Sequence, residues 1–75
     1  MKLKRPVSEF AQRIYELRVD KVASQCDIAD AIGVSKGIVS LWENGLREPT
    51  MANLIALANY FGVTLDYIVG RTDTM

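Results

Sequence analysis

The side chains that could do chemistry here are few, and their types narrow the options at once. The 75-residue sequence has no His and one Cys, Cys26. Imidazole-based acid–base or nucleophilic catalysis is therefore excluded. A Cys/His zinc site, which takes about four such ligands, cannot be assembled. A single Cys forms no disulfide within the chain. On the first turn of a helix Cys26 could be a reactive thiol. Asp27 beside it opposes a lowered pKa, and an inert small residue is the simpler reading. What remains is a run of polar and basic side chains between Gln25 and Arg47: Gln25, Ser35, Lys36, Ser40, Asn44 and Arg47. They carry charge and hydrogen bonds but no nucleophile–base pair. That set suits recognition rather than bond breaking, so the expectation is no enzyme, no cofactor and no metal.

Charge limits what could be recognised. Lys and Arg number nine, as do Asp and Glu, so the net charge is zero. A chain with no net charge is not an indiscriminate polyanion binder. Residues 1–21, however, hold six Lys/Arg against three acids, and the remainder holds three against six. Any nucleic-acid face must be local. The basic start, residues 1–6, reads as either a solubilising tail or an arm that contacts phosphates. It is basic like a signal peptide, but Glu9, Gln12 and Arg13 interrupt any apolar stretch behind it. No apolar run approaches the ~18 residues of a membrane span. The expected location is the cytoplasm, with no membrane partner.

The elements that must position these side chains are helical. Val7, Phe10, Ala11, Ile14 and Leu17 recur at three- and four-residue steps behind Pro6, which suits a helix start. Ser24, with Asp27 three residues on, opens a second helix that buries Ile28, Ala29 and Ile32 and ends at Gly33. Ser35 caps a third, with Ile38, Val39 and Trp42 inward, ending near Asn44-Gly45. Residues 46–49 form a loop. Thr50 caps a fourth helix, closed by Gly62, and Thr64 a short fifth, closed by Gly70. Residues 71–75 are expected to be a flexible tail. No strand pattern appears. Trp42 belongs to the core, since base stacking is the habit of single-strand binders.

The short Gly33-Val34-Ser35 turn forces the third helix across the second at a steep angle. Close packing there needs a small residue, and Ala29 stands at the crossing. This is helix-turn-helix geometry, in which the second helix of the pair lies in the DNA major groove. The run QCDIADAIGVSKGIVSLWENGLREP resembles the helix-turn-helix of the phage Cro and lambda-type repressors, the XRE family. Gln25, Ile28-Ala29, Gly33-Val34-Ser35, Val39, Trp42-Glu43, Asn44-Gly45 and Arg47 to Pro49 carry the likeness. Leu54, Leu57-Ala58, Phe61-Gly62-Val63 and Leu65-Asp66 extend it downstream, and Arg13-Ile14 with Leu17-Arg18 upstream. The resemblance spans residues 7–70. It implies an all-α, five-helix, lambda-repressor-like DNA-binding domain with the helix-turn-helix at 25–44.

The resemblance also implies roles. Lys36, Gly37, Ser40 and Leu41 fall on base-reading positions. Lys36 suits a guanine edge or a phosphate, and Leu41 suits a thymine methyl or additional core. Gly37 either lets the backbone approach DNA or has no role. Gln25 matches a phosphate-contacting glutamine. Ser35, Asn44 and Arg47 border the same groove, and Lys4 and Arg5 form the candidate arm. Arg18 and Glu43 match a partly buried structural ion pair between the first and third helices.

Two features depart from the family pattern. Where the family places Gly before the second helix, this chain has Val22, and a β-branched residue at positive φ is strained. The expectation is that the turn is built differently, or that Lys21 or Ala23 absorbs the bend. The DNA-facing half also carries few positive charges, which predicts modest affinity and a shallow salt dependence. The function implied is a transcriptional regulator of prophage-repressor type on a double-stranded, pseudo-palindromic operator. A homodimer is expected, with the fifth helix offering Leu65, Tyr67, Ile68 and Val69 unless they only complete the core. An antitoxin, a restriction-control regulator and a protein-binding module on the same fold are the alternatives.

Overall fold

The computed structural model of the chain describes residues 9–71. Lys4, Arg5 and the rest of the basic segment 1–6 lie outside the described residues, as do residues 72–75. Five α-helices follow one another: α1 (Glu9–Asp20), α2 (Gln25–Ile32), α3 (Lys36–Glu43), α4 (Met51–Phe61) and α5 (Leu65–Ile68). There is no strand among the described residues.

Four of the starts are fixed by hydroxyl caps. The oxygens of Ser35, Thr50 and Thr64 accept from the amides of Ile38, Asn53 and Tyr67 at 3.0–3.2 Å. Ser24 does the same for Asp27 at 3.0 Å, and the Asp27 carboxylate accepts from the Ser24 amide at 2.9 Å. Each such cap stabilises its helix by about 1 kcal/mol.

The ends repeat one device. The amides of Ala23, Val34, Leu46, Val63 and Arg71 each reach back five residues, to the carbonyls of Arg18, Ala29, Leu41, Ala58 and Asp66, at 2.8–3.1 Å. That bond requires a left-handed residue just before the donor. Gly33, Gly45, Gly62 and Gly70 supply it at four ends, with φ from 70° to 88°. At the end of α1 the residue is Val22, with φ 58°. The expected escape through Lys21 or Ala23 does not occur: the turn keeps the shape of the others, and valine bears the strain.

A left-handed non-glycine costs roughly 1–2 kcal/mol, and Val22 is 90% exposed, so no packing offsets it. Val22→Gly is therefore expected to raise stability by about 1 kcal/mol after the greater unfolded-state entropy of glycine is subtracted. In a chain this short that is a rise in Tm of about 4–8 °C, readable by circular dichroism. A lower Tm would refute the strain.

The core is one cluster drawn from all five helices: Ile14 and Leu17, Ile28 and Ala29, Val39 and Trp42, Leu57, and Ile68. Trp42 and Leu57 are essentially inaccessible. Ile68 is 0% exposed, so it belongs to the core and not to a contact surface between copies. Of the other residues proposed for that surface, Tyr67 and Val69 are half-buried against the same core, and Leu65 is exposed.

Candidate nucleic-acid interface

With Val39, Trp42 and Glu43 buried, α3 turns a continuous outer stripe away from the core. Lys36 and Gly37 are exposed on its first turn, and Ser40 and Leu41 are half-buried one turn later. Asn44, exposed at the end of α3, continues the stripe, and Arg47 is exposed in the loop beyond it, where it lines a cleft with Val34, Ile38 and Trp42. The four residues proposed to read bases thus share one face. Ser35, exposed at the start of α3, has its hydroxyl engaged as the helix cap.

Gly37 has ordinary helical φ, and a Cβ added there would meet only the Ser35 hydroxyl, at 3.9 Å. Nothing in the fold requires a glycine, although it costs the helix about 1 kcal/mol relative to alanine. Gly37→Ala is expected to raise Tm and to weaken binding to duplex DNA. Unchanged binding would show that the missing side chain serves no close approach.

Asn44 is less free than its position implies. Its side-chain nitrogen donates to the Ser40 carbonyl at 2.8 Å and lies 3.4 Å from the Ser40 hydroxyl. It closes the last turn of α3 and reduces the freedom of Ser40 to reach a base.

Behind the stripe lies a charged network. Arg18 on α1 grips the Glu43 carboxylate with two donors, Nε to Oε2 at 2.6 Å and Nη2 to Oε1 at 3.1 Å. Its Nη1 donates to the Ala23 carbonyl at 3.0 Å, tying the strained turn to the same group. Glu43 is buried and the Arg18 side chain is 16% exposed. The hydrogen bond to Glu43 raises the Arg18 pKa above its ordinary value despite partial burial. Gln25 joins this network: its amide nitrogen donates to Glu43 Oε1 at 3.0 Å. The side chain expected to reach for a phosphate is therefore anchored inward by one of its donors.

Arg13 has a place that sequence reasoning missed. It is buried, 3.3 Å from the Glu9 carboxylate, with its guanidinium 4.2 Å from the centre of the Tyr67 ring. It joins α1 to α5. The available signal was its spacing, three residues after Phe10 and four before Leu17, which puts a cation on the apolar face of α1.

Known proteins resemble the chain in sequence and in fold. The helix-turn-helix family model matches residues 14–68. The chain is 31% identical over 65 residues to the cryptic phage CTXphi transcriptional repressor RstR of Vibrio cholerae, which covers 87% of this chain and 59% of that protein. It is 33% identical over 61 residues to the transcriptional activator BcrR of Enterococcus faecalis, covering 81% of this chain and 30% of that one. The chain thus spans less than two thirds of either relative. Among solved structures, the P22 c2 repressor in complex with a synthetic operator superimposes with a TM-score of 0.78 at 28% identity, covering 87% of this chain and 96% of that one. Five helices, an outward α3 and a match over most of the length agree: the chain belongs to the XRE helix-turn-helix family of DNA-binding regulators, with the lambda-repressor-like fold.

Proposed function

We propose that the chain is the sequence-specific DNA-binding unit of a prophage-type transcriptional repressor, and that it occupies a pseudo-palindromic operator as a homodimer. The observation that carries this reading is the outer stripe of α3, where Lys36, Gly37, Ser40 and Leu41 lie together on a helix whose other side is locked into the core. Such a stripe fits the major groove. Lys36 would meet a guanine edge or a phosphate and Leu41 a thymine methyl. Phosphates would be held by Ser35, Arg47, Gln25 and Asn44, and by Lys4 and Arg5 from the arm. RstR, named as a phage repressor, and the P22 c2 repressor support the assignment to that class.

One unit of this size buries only about 600–1,000 Å² on DNA, so a specific operator calls for two. Two-fold symmetric half-sites would then lie about 34–36 Å apart. Of the residues offered for a surface between copies, Leu65 of α5 is the one that is an exposed large apolar side chain. Few cations face the groove, so affinity should fall gently with salt. Each phosphate neutralised contributes a slope of about −0.9 in log K against log salt. No helix among the described residues is long and apolar enough to cross a membrane. The working place of such a unit is the compartment that holds the DNA, the cytoplasm of a bacterial cell.

The test is selection of the chain on a random duplex pool near physiological salt, repeated with Ser40→Ala plus Leu41→Ala. A two-fold symmetric motif that the double variant loses or relaxes is the expected result. No motif from a folded, helical chain would refute the reading. It would instead favour a protein-binding module, for which Leu46, 74% exposed near Leu41, offers an apolar contact.

A further inference from the structure

The carboxylate of Glu43, the last residue of α3, is buried and accepts three hydrogen bonds. Two come from Arg18, and they already meet its charge from both oxygens. The third, from Gln25 at 3.0 Å, is not needed for neutralisation. It joins the first residue of α2 to the last of α3, across a gap of eighteen residues in sequence. The backbone beneath Gln25 is held by the Ser24–Asp27 capping box, so the glutamine has a fixed base as well as a fixed tip.

We propose that Glu43 is a positioning residue for DNA binding, acting through Gln25. This rests on the DNA-binding reading above. A side-chain amide carries two N–H donors on one rigid plane. Committing one of them to a buried carboxylate orients the other before any DNA arrives. A free glutamine on a helix surface must be ordered when it meets a phosphate, and ordering one such side chain weakens binding about three- to tenfold. Held by Glu43, Gln25 has been ordered by folding. The same carboxylate grips Arg18, whose third donor secures the turn before α2. One buried group thus sets the turn, the start of α2 and the end of α3 relative to one another. Arg18 is the structural half of the network, and Gln25 is the half that reaches DNA.

The test combines one dynamic measurement with one binding cycle. Heteronuclear NOE values of the Gln25 side-chain nitrogen in the DNA-free chain are expected to match those of the α2 backbone. A Gln25 amide as mobile as an unstructured glutamine would overturn the proposal. Binding to a mixed-sequence duplex is then compared by fluorescence anisotropy for the wild type, Glu43→Asp, Gln25→Ala and the double variant. Glu43→Asp keeps a negative charge facing Arg18 but draws back both oxygens, including the Oε1 that Gln25 shares with Arg18. It should weaken binding about three- to tenfold with the salt slope unchanged, and cost nothing further once Gln25 is alanine. Additive losses would overturn the proposal. Should Glu43→Asp fail to fold, the relaxation measurement on the wild type still decides. A rigid Gln25 amide with no duplex binding by the wild type would sink the DNA reading itself.

Discussion

Arg18→Met is expected to leave much of the protein unfolded at 37 °C. The substitution keeps the length of the stem but strands the Glu43 carboxylate, which is 5% exposed, without its cation. Breaking a buried pair from one side costs about 3–5 kcal/mol. At roughly 0.05–0.15 kcal/mol per residue, a domain this small holds only about 4–11 kcal/mol in all. The Ala23 carbonyl would also lose its donor beside a turn that Val22 already strains. Urea denaturation would show the transition moved to low denaturant or lost. Pairing Arg18→Met with Glu43→Leu removes the stranded charge and should recover a large part of the loss, because apolar replacements of buried ion pairs are often tolerated. A single variant as stable as the wild type would mean that Glu43 reaches water despite its burial.

Ile68 and Leu65 should respond in opposite ways. Ile68→Ala removes a fully buried side chain from the core cluster of the described residues. The expected cost is about 2–5 kcal/mol, seen in thermal unfolding at any protein concentration. Leu65→Ser, three residues earlier and 39% exposed, should change the stability of the isolated copy by no more than about 0.5 kcal/mol. Its effect should appear in sedimentation, as weaker self-association, and in DNA binding, as a weaker response to the second half-site. If Leu65→Ser leaves association untouched, or the wild type does not associate, Leu65 is no part of a surface between copies. If it unfolds the chain, α5 serves the core alone.

The helices were legible because their ends are written locally. Ser24, Ser35, Thr50 and Thr64 announce starts within three residues of the amides they cap, and glycines announce the stops. The inward faces were legible as well, since Ile28, Val39, Trp42 and Leu57 recur at helical spacing and are buried. Val22 was half legible. Its place in the pattern pointed to a left-handed turn, but the cost of that conformation in a β-branched residue argued for a detour that the chain does not take. Partnerships between side chains were harder to read. That Arg13 lies against Tyr67, that Gln25 turns to Glu43 and that Asn44 folds onto Ser40 depends on how the helices are set in space. Spacing along one helix carries none of that. The fate of Ile68 had the same origin: four residues of a short helix show both an inner and an outer side, and only the packing of α1 and α4 decides between them.

The shared ending of the five helices bears on the speed of folding. Each stop is made by a hydrogen bond between residues five apart, and each capped start by one between residues three apart, so both ends of most helices can form before the helices meet. Chains dominated by such local closures collapse quickly, and helical domains of this kind refold in microseconds to milliseconds. The slow event should be the one that closes the largest loop. Gly70 leaves no room for a side chain against Glu9, and Tyr67 lies over Arg13, so α5 must find the start of α1 across most of the chain. The seam between first and last helix is then where the native state is completed late and opens early.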